Sequence, residues 1–306
     1  MTISEAAFSV AQLGFLEVSE KGQHALLDQF RKPVDYAVLK ASMNLGESSL
    51  GEFLNSQDVA PVSIHGDTAV ITISGPLEYR MSLMGYFYGY ASYTAVRRSI
   101  EEALDNSKIS QVVLDIDSPG GQTVGNIELC RWILSQRGNG KPIYAFANPD
   151  AASAALKISV ACSKFYTLGS GYVGSIGTMA HAYSFAEALK NEGVDYKVIT
   201  SPDAKGEDWP QREMTPERIE HWTSTVSEMS NEFHEFVADA RGVSIEHVRE
   251  NFGGGRVIRG TQAVAVGLCD EVKTVEEFLG ENSGGGNGKR KDGGLTMSAN
   301  RKRDRV

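Results

Sequence analysis

Two segments of this chain contain residue types suited to acyl-transfer chemistry. Ser153 lies in Pro149–Ala155 among small residues, which would let a substrate backbone approach its hydroxyl. Asp117–Gly121 ends in two glycines, whose backbone N–H groups can point into a cavity and stabilise an oxyanion. Each segment also fits an ordinary structure, namely a helix N-cap serine and a tight turn between a strand and a helix.

A nucleophilic serine also needs a base. His181 and Lys205 follow Ser153 in the chain and are both candidates. A lysine acts as a base only if its pKa falls from about 10.4 towards 7–8, a shift of about 4 kcal/mol. Desolvation in a closed site or a subunit interface can supply this shift. Composition and spacing do not choose between the two residues.

A third segment, Gly169–Gly177, is dense in glycine. Such a stretch is suited to an extended wall that a peptide pairs with through backbone hydrogen bonds. We expect the substrate groove to include Gly174, Ser175, Ile176 and Gly177. The ordinary interpretation is a loop between two strands.

The elements that position these segments alternate along the chain. Short apolar runs predict strands, and longer runs with apolar residues three or four apart predict helices. The predicted strands are 69–75, 111–117, 141–147, 164–168 and 195–200. The predicted helices are 93–106, 122–137, 152–161, 183–192, 215–241 and 244–252. This alternation indicates an α/β fold with βαβ units and a largely parallel sheet.

Composition supports a globular protein with one catalytic domain and two extensions. Hydrophobic residues make up 41% of the 306 residues and charged residues 23%, which is enough for a large core. We predict an N-terminal helical arm at 1–58, a catalytic domain at 59–280 and a flexible, Gly-rich basic tail at 281–306. The net charge of −9 argues against a generally basic surface that coats nucleic acid.

The two ends of the sequence carry further expectations. The N-terminus lacks the features of a signal peptide, and no window has the roughly eighteen apolar residues of a membrane span, so we expect no membrane association. Residues 283–306 contain seven Lys/Arg and two Asp, which fits a solvated tail or a contact with an acidic protein or nucleic acid. The three cysteines are too few and too far apart for a disulfide framework, and we expect each to be buried.

Four motifs, in order, resemble the signal peptide peptidase A family of serine–lysine proteases. They are Val112–Gly121, Ala151–Ala155, Val173–Gly177 and Gly255–Asp270. The resemblance covers roughly residues 60–278. It implies the Clp-protease/crotonase-like fold, an α/β superhelix of ββα units.

The resemblance also implies roles for individual residues. Ser153 matches the nucleophile and Lys205 the general base, whereas Gly120, Gly121 and the N–H of Ala154 fall where the oxyanion hole is expected. The sequence departs from the family at Pro202, where a glycine usually stands. In relatives the base can come from a neighbouring protomer, so we expect a homo-oligomeric ring. We assign no metal and no cofactor.

Within this family, the chain looks most like the capsid-assembly (prohead) proteases of lambda-type tailed phages. The expected substrates are scaffold and portal-associated proteins and the chain itself, and the expected location is the host cytoplasm and the inside of the prohead. The alternatives are a soluble bacterial peptidase, a catalytically silent assembly scaffold and a crotonase-type acyl-CoA enzyme. We also predict that the aromatic stretch 79–93, with Tyr88, lines the peptide groove or a subunit contact.

Overall fold

The computed structural model describes residues 16–18, 59–82, 85, 86 and 88–282. Its centre is a sheet whose middle strands are β3 (Thr68–Ser74), β6 (Gln111–Ser118) and β8 (Ile143–Ala152). The three strands run parallel, in the order β3–β6–β8. Their apolar residues are almost fully buried, as expected when both faces of a parallel sheet are covered.

β8 positions the serine segment because its two halves pair differently. Along its whole length one edge faces β6. The other edge pairs first with β9 (Lys164–Thr167) and then, at Ala151 and Ala152, with β10 (Tyr172–Gly174). The end of β8, immediately before Ser153, therefore lies between two strands.

Short strands complete the main sheet at its margins. β2 (Val62–His65) pairs antiparallel with β3. β11 (Val257–Arg259) pairs antiparallel with β10, and β12 (Glu271–Val272) pairs parallel with β9. The closing motif Gly255–Asp270 thus lies on the same side of the sheet as β9 and β10.

A second, four-stranded sheet lies beside the first. Its order is β1 (Leu16–Val18), β7 (Gly120–Gln122), β4 (Leu77–Glu78) and β5 (Ala91–Ser92). β7 is reached from β6 after a single intervening residue. The small sheet is therefore tied directly to the end of a core strand.

Eight helices are assigned within the described residues, and one of them is completely buried. They are α1 (Tyr93–Asp105), α2 (Asn126–Ser135), α3 (Ala154–Ala161), α4 (Ala186–Asn191), α5 (Pro216–Arg241), α6 (Ile245–Asn251), α7 (Gly260–Ala265) and α8 (Val275–Asn282). Every residue of α3 is buried, and α3 packs against α2, α5 and β8. The helix that follows Ser153 is therefore part of the core.

Most of the predicted elements are confirmed. The strands at 69–75, 111–117 and 164–168 and the helices at 93–106, 215–241 and 244–252 are present within one or two residues of their predicted ends. The predicted α/β architecture is confirmed with them. The cysteines Cys130, Cys162 and Cys269 are buried and unbridged, as predicted.

Three predictions about elements are wrong. The predicted strand 195–200 has no ladder partner among the described residues, and none of its own residues is buried. The helix predicted from residue 122 begins at Asn126, because Gly120–Gln122 pairs as β7. Leu16–Val18 is a strand instead of part of a helix. The rest of the predicted arm and the tail beyond residue 282 lie outside the described residues.

Candidate active site

Ser153 occupies a strained turn between β8 and α3. Its backbone has φ 53° and ψ −117°, and a positive φ is uncommon for a residue that carries a Cβ. The residue is fully buried, and its N–H donates to the carbonyl oxygen of Gly174 at 2.8 Å. Such strain persists only where the surroundings enforce it, and it occurs often at functional sites.

The hydroxyl of Ser153 is not a helix cap. Although Ser153 stands at the N-cap position of α3, its side chain makes no capping hydrogen bond. Its Oγ is buried and has no hydrogen-bond partner within the described structure. A buried hydroxyl without a partner costs about 1–3 kcal/mol. The N-cap interpretation therefore fails, and the hydroxyl is available for chemistry.

β10 forms one side of the site. Val173 and Gly174 are the register partners of Ala151 and Ala152. The N–H of Ser175, which also has a positive φ of 57°, donates to the carbonyl of Arg256 at 2.9 Å. A side chain at Gly174 would collide with that same carbonyl. The predicted groove residue Gly174 is thus adjacent to Ser153.

The end of β6 forms the opposite side. Ser118 is the register partner of Ala151, two residues before Ser153. The Ser118 hydroxyl donates to the carbonyl of Gly75 at 2.7 Å and lies 3.2 Å from the N–H of Gly120, which donates to it. The Gly120 N–H is therefore engaged by Ser118 in this state.

Gly121 and Ala154 have positions consistent with an oxyanion site. Gly121 lies in β7, against the backbone of Leu77, and a side chain there would collide with the Leu77 carbonyl. Ala154 is the first residue of α3, so its N–H has no acceptor within the helix, and the helix dipole favours a negative charge there. α3 is in contact with β7.

Two polar residues near Ser153, which the sequence patterns did not single out, are buried. The Asn126 amide donates to the carbonyl of Ala154 at 3.1 Å and thereby joins α2 to the first turn of α3. Lys157 is only 3% exposed, and its Nζ lies 4.1 Å from the centroid of the Phe233 ring. Lys157 is the one charged residue in Ala154–Ala161, and this was the available signal for the second of these.

Two arginines fix the elements around the site. The Arg137 guanidinium donates to the carbonyls of Val160 and Ala161 at the end of α3 and to Ala240 in α5. Arg241 forms two hydrogen bonds with Asp270, at 3.1 and 3.0 Å. The Asp270 carboxylate also accepts from the N–H of Phe165 in β9, at 2.7 Å. The closing motif is therefore anchored to the sheet.

The aromatic stretch borders β7. The N–H of Tyr79 donates to the Gln122 side chain at 3.2 Å, and the hydroxyl of Tyr93 donates to the Gln122 carbonyl at 2.6 Å. Tyr79 also packs so closely on Gly125 that a side chain there would collide with its ring. These contacts place the stretch beside β7, which contains Gly121. Its role there stays a prediction.

The two candidate bases lie in an exposed segment. We call residues 181–210 the exposed segment, because none of them is buried. Lys205 lies there in a turn, where its N–H donates to the Pro202 carbonyl at 2.9 Å. His181 is exposed and stacks on Tyr183, with ring centroids 6.4 Å apart. Because Ser153 Oγ has no partner, neither base is hydrogen-bonded to it within the protomer.

One protein-family model matches the region that contains Ser153. The model of peptidase family S49 matches residues 135–283, just under half of the chain. The predicted family resemblance is confirmed. The S49 match contains both Ser153 and Lys205, whereas Gly120 and Gly121 lie before it.

The curated relatives include phage and bacterial proteins. The head-tail preconnector protein GP5 of Enterobacteria phage P21 is 31% identical, over 69% of this chain and 42% of that protein. Capsid assembly protease C of Escherichia phage lambda is 26% identical, over 74% of this chain and 56% of that protein. A putative signal peptide peptidase SppA of Enterococcus faecium is 24% identical, over 79% and 67%. The chain spans about half the length of the two phage relatives.

A solved structure, that of a ClpP1 mutant from Listeria monocytogenes, aligns with a TM-score of 0.40 and 15% identity. The alignment covers 75% of this chain and 99% of that chain. The fold itself is defined by the order of strands and helices given above. Among the described helices, none combines the length and the hydropathy that crossing a membrane requires.

Proposed function

We propose that this chain is a serine endopeptidase with Ser153 as the nucleophile and Lys205 as the general base. The observation that carries the proposal is the buried, unpartnered hydroxyl of Ser153 on a strained turn at the start of a buried helix. A structural serine in that position would be expected to cap the helix or to bond a carbonyl. The S49 match and the protease relatives support the same chemistry.

The proposed mechanism follows from this arrangement. An extended polypeptide pairs with the groove strands and presents a carbonyl to Ser153. Neutral Lys205 accepts the hydroxyl proton as Oγ attacks, and the N–H groups of Gly121 and Ala154, with Gly120 once Ser118 releases it, stabilise the oxyanion. Each such donor contributes about 3–4 kcal/mol in comparable sites. Protonated Lys205 then protonates the leaving amine, and water hydrolyses the acyl-enzyme.

We assign the base to a second copy of the chain. Lys205 is exposed in the protomer, and large apolar side chains on the same segment are exposed with it, including Ile199 at 92% and Trp209 at 50%. Exposed apolar surface of this kind marks contact sites between proteins. A neighbouring protomer that covers the exposed segment would desolvate Lys205. The lysine would then lie beside the neighbour's Ser153. Repetition of this contact would form a ring of identical subunits.

The proposed substrates are proteins that accompany a phage capsid during its assembly. The proposal rests on the names of two relatives, the capsid assembly protease of phage lambda and the preconnector protein of phage P21. The site of action would then be the host cytoplasm and the interior of the prohead. Incubation with a purified scaffold protein, beside casein as an unrelated unfolded substrate, measures this preference as a ratio of kcat/KM values.

The first experiment compares cleavage of casein by the wild type, Ser153→Ala, Lys205→Ala and Lys197→Ala. Lys197 is the matched control, because it is an exposed lysine of the same segment. We expect the first two variants to lose activity and Lys197→Ala to retain it. Labelling of Ser153 by a fluorophosphonate should accompany activity. Cleavage by Lys205→Ala at the wild-type rate would refute the lysine assignment and favour His181.

A second experiment tests the origin of the base. Ser153→Ala and Lys205→Ala protomers are mixed and reassembled. If the base comes from a neighbour, about a quarter of the sites in a random ring combine an intact Ser153 with an intact Lys205, and activity returns in that proportion. If the base acts within its own protomer, the mixture stays inactive. No cleavage and no labelling in the wild type would instead support a silent assembly scaffold.

A further inference from the structure

The strand β1 lies on the outer edge of β7. The pairing is antiparallel, with Leu16 opposite Gln122, Glu17 opposite Gly121 and Val18 opposite Gly120. The other edge of β7 is taken by β4, through Leu77 and Gly121. In the described structure β1 is therefore the strand that covers the outer edge of β7.

That edge is next to the proposed nucleophile. β7 follows Ser118, which pairs with Ala151 two residues before Ser153. Gly121, the register partner of Glu17, is one of the N–H donors that we assign to the oxyanion. A strand along this edge therefore pairs with Gly120 and Gly121, the residues that the proposed mechanism assigns to the oxyanion.

One edge of a strand accepts one partner at a time. Its backbone N–H and C=O groups form a single ladder, whether the second strand comes from a substrate or from the same chain. β1 and an extended substrate therefore compete for the backbone groups of β7. Because β1 belongs to the same chain, its pairing is intramolecular and corresponds to an effective concentration on the order of millimolar.

We infer that Leu16–Val18 is an internal occupant of the substrate-binding edge of β7, which a substrate must displace before cleavage. This inference rests on the proposed function of the Ser153 site. The consequence is a competition that raises KM and leaves kcat unchanged, because the occupant is absent once the substrate is bound. Substrates that displace β1 readily would then be cleaved in preference to those that do not.

The test replaces two adjacent residues of β1 in the full-length chain. Successive N–H groups of a strand point to opposite edges, so Glu17→Pro with Val18→Pro removes whichever N–H faces β7. Glu17→Ala with Val18→Ala is the matched control, because it keeps every backbone N–H. With casein as substrate, we expect KM of the proline variant to be about two- to tenfold below that of the control, with equal kcat. Equal KM values would overturn the inference.

A second readout does not depend on catalysis. In a Ser153→Ala background, the affinity of a labelled extended peptide is measured for both β1 variants, together with hydrogen exchange at Gly121 and Gln122. The proline variant should bind the peptide more tightly and exchange faster in its absence. If no variant cleaves any substrate, the proposed function fails, and these two measurements still decide the inference. Unchanged affinity and unchanged exchange would refute it.

Discussion

The surroundings of Ser153 and of Lys205 differ sharply. Ser153 lies between paired strands and starts a helix in which every residue is buried. Lys205 lies in the exposed segment, 181–210, which contributes no buried residue and only the short helix α4. The protomer alone thus builds the surroundings of Ser153, whereas it leaves the side chain of Lys205 exposed.

This difference indicates which of the two residues would depend on the assembly of protomers. A buried hydroxyl keeps its geometry in an isolated protomer, because the sheet and α3 hold it. An exposed lysine on a segment without buried contacts gains both a position and a dry environment only when another surface covers it. Substitutions in the core should therefore affect the proposed nucleophile. Substitutions that change the association of protomers should affect the proposed base.

The largest expected effect is at the nucleophile itself. Ser153→Ala should reduce kcat/KM by at least about a thousandfold. Because it also removes a buried hydroxyl without a partner, the free energy of unfolding should rise by about 1 kcal/mol. Urea unfolding and casein cleavage measure the two effects.

Ser118→Ala is the control for that stability gain. It removes a buried hydroxyl that bonds Gly75 and Gly120, so it should lower the free energy of unfolding by about 1–3 kcal/mol. If both alanine variants lower stability equally, Ser153 Oγ has a partner in the protein, and the contrast between the two serines is wrong.

The next effect tests the exposed segment. Ile199→Asp places a charge on a side chain that is 92% exposed, so it should not destabilise the protomer. If the segment is covered in a ring, the buried charge should shift the assembly to smaller species and reduce activity about tenfold or more. Light scattering gives the assembly mass, and urea unfolding gives the protomer stability.

Ile64→Asp is the control for surface charge. Ile64 is 57% exposed on the edge strand β2, which pairs with β3 and is not part of the exposed segment. This variant should keep both its mass and its activity. Loss of assembly in Ile64→Asp, with Ile199→Asp unaffected, would show that the ring forms through β2 and would contradict the proposed position of Lys205.

A smaller effect concerns the anchor of the closing motif. Arg241→Met removes the guanidinium that forms a bidentate pair with the Asp270 carboxylate. The free energy of unfolding should therefore fall by about 2–3 kcal/mol. Arg131→Met is the control, because Arg131 pairs with Glu232 on the surface, where ion pairs contribute about 0–1 kcal/mol. Thermal unfolding at pH 7 compares the stability of the two variants. Equal losses of stability would contradict the structural role of Arg241.

The smallest expected effect is a pH dependence of stability. Burial acts to raise the pKa of Asp270, but hydrogen bonds from Arg241 and Phe165 outweigh it and hold the pKa below its usual range. The stabilisation is therefore present above the ordinary aspartate pKa of about 3.9 and is lost as the pH falls through the lower folded value. Urea unfolding from pH 6 to pH 3 should show this fall.

Asp270→Asn should flatten that fall, because the variant has no carboxyl to protonate. Asp105→Asn, at the exposed end of α1, should leave the slope unchanged. An identical slope in the wild type and in Asp270→Asn would mean that another carboxylate controls acid stability.

The core elements could be predicted from the sequence, because their signals are local, whereas the role proposed for Ser153 depends on the family resemblance. The apolar run of β6 predicts a buried strand, and the small residues around Ser153 indicate a place where a substrate backbone could approach. Gly120, Gly121 and Ala154 were found through their position next to such elements. Lys205 was assigned through the family resemblance, since spacing alone did not distinguish it from His181.

Other features required the tertiary structure, because they depend on partners distant in the chain. A strand exists only if another backbone pairs with it, so residues 195–200 form none, whereas Gly120–Gln122 and Leu16–Val18 pair with each other. Whether the Ser153 hydroxyl is buried and hydrogen-bonded depends on atoms from several strands and helices. A local sequence pattern does not contain that information. The sequence by itself determined which residues are the candidates for the chemistry, because residue types and motifs are local. The tertiary structure decided which of those candidates are buried, which are paired and which are exposed, because these properties depend on residues distant in the chain.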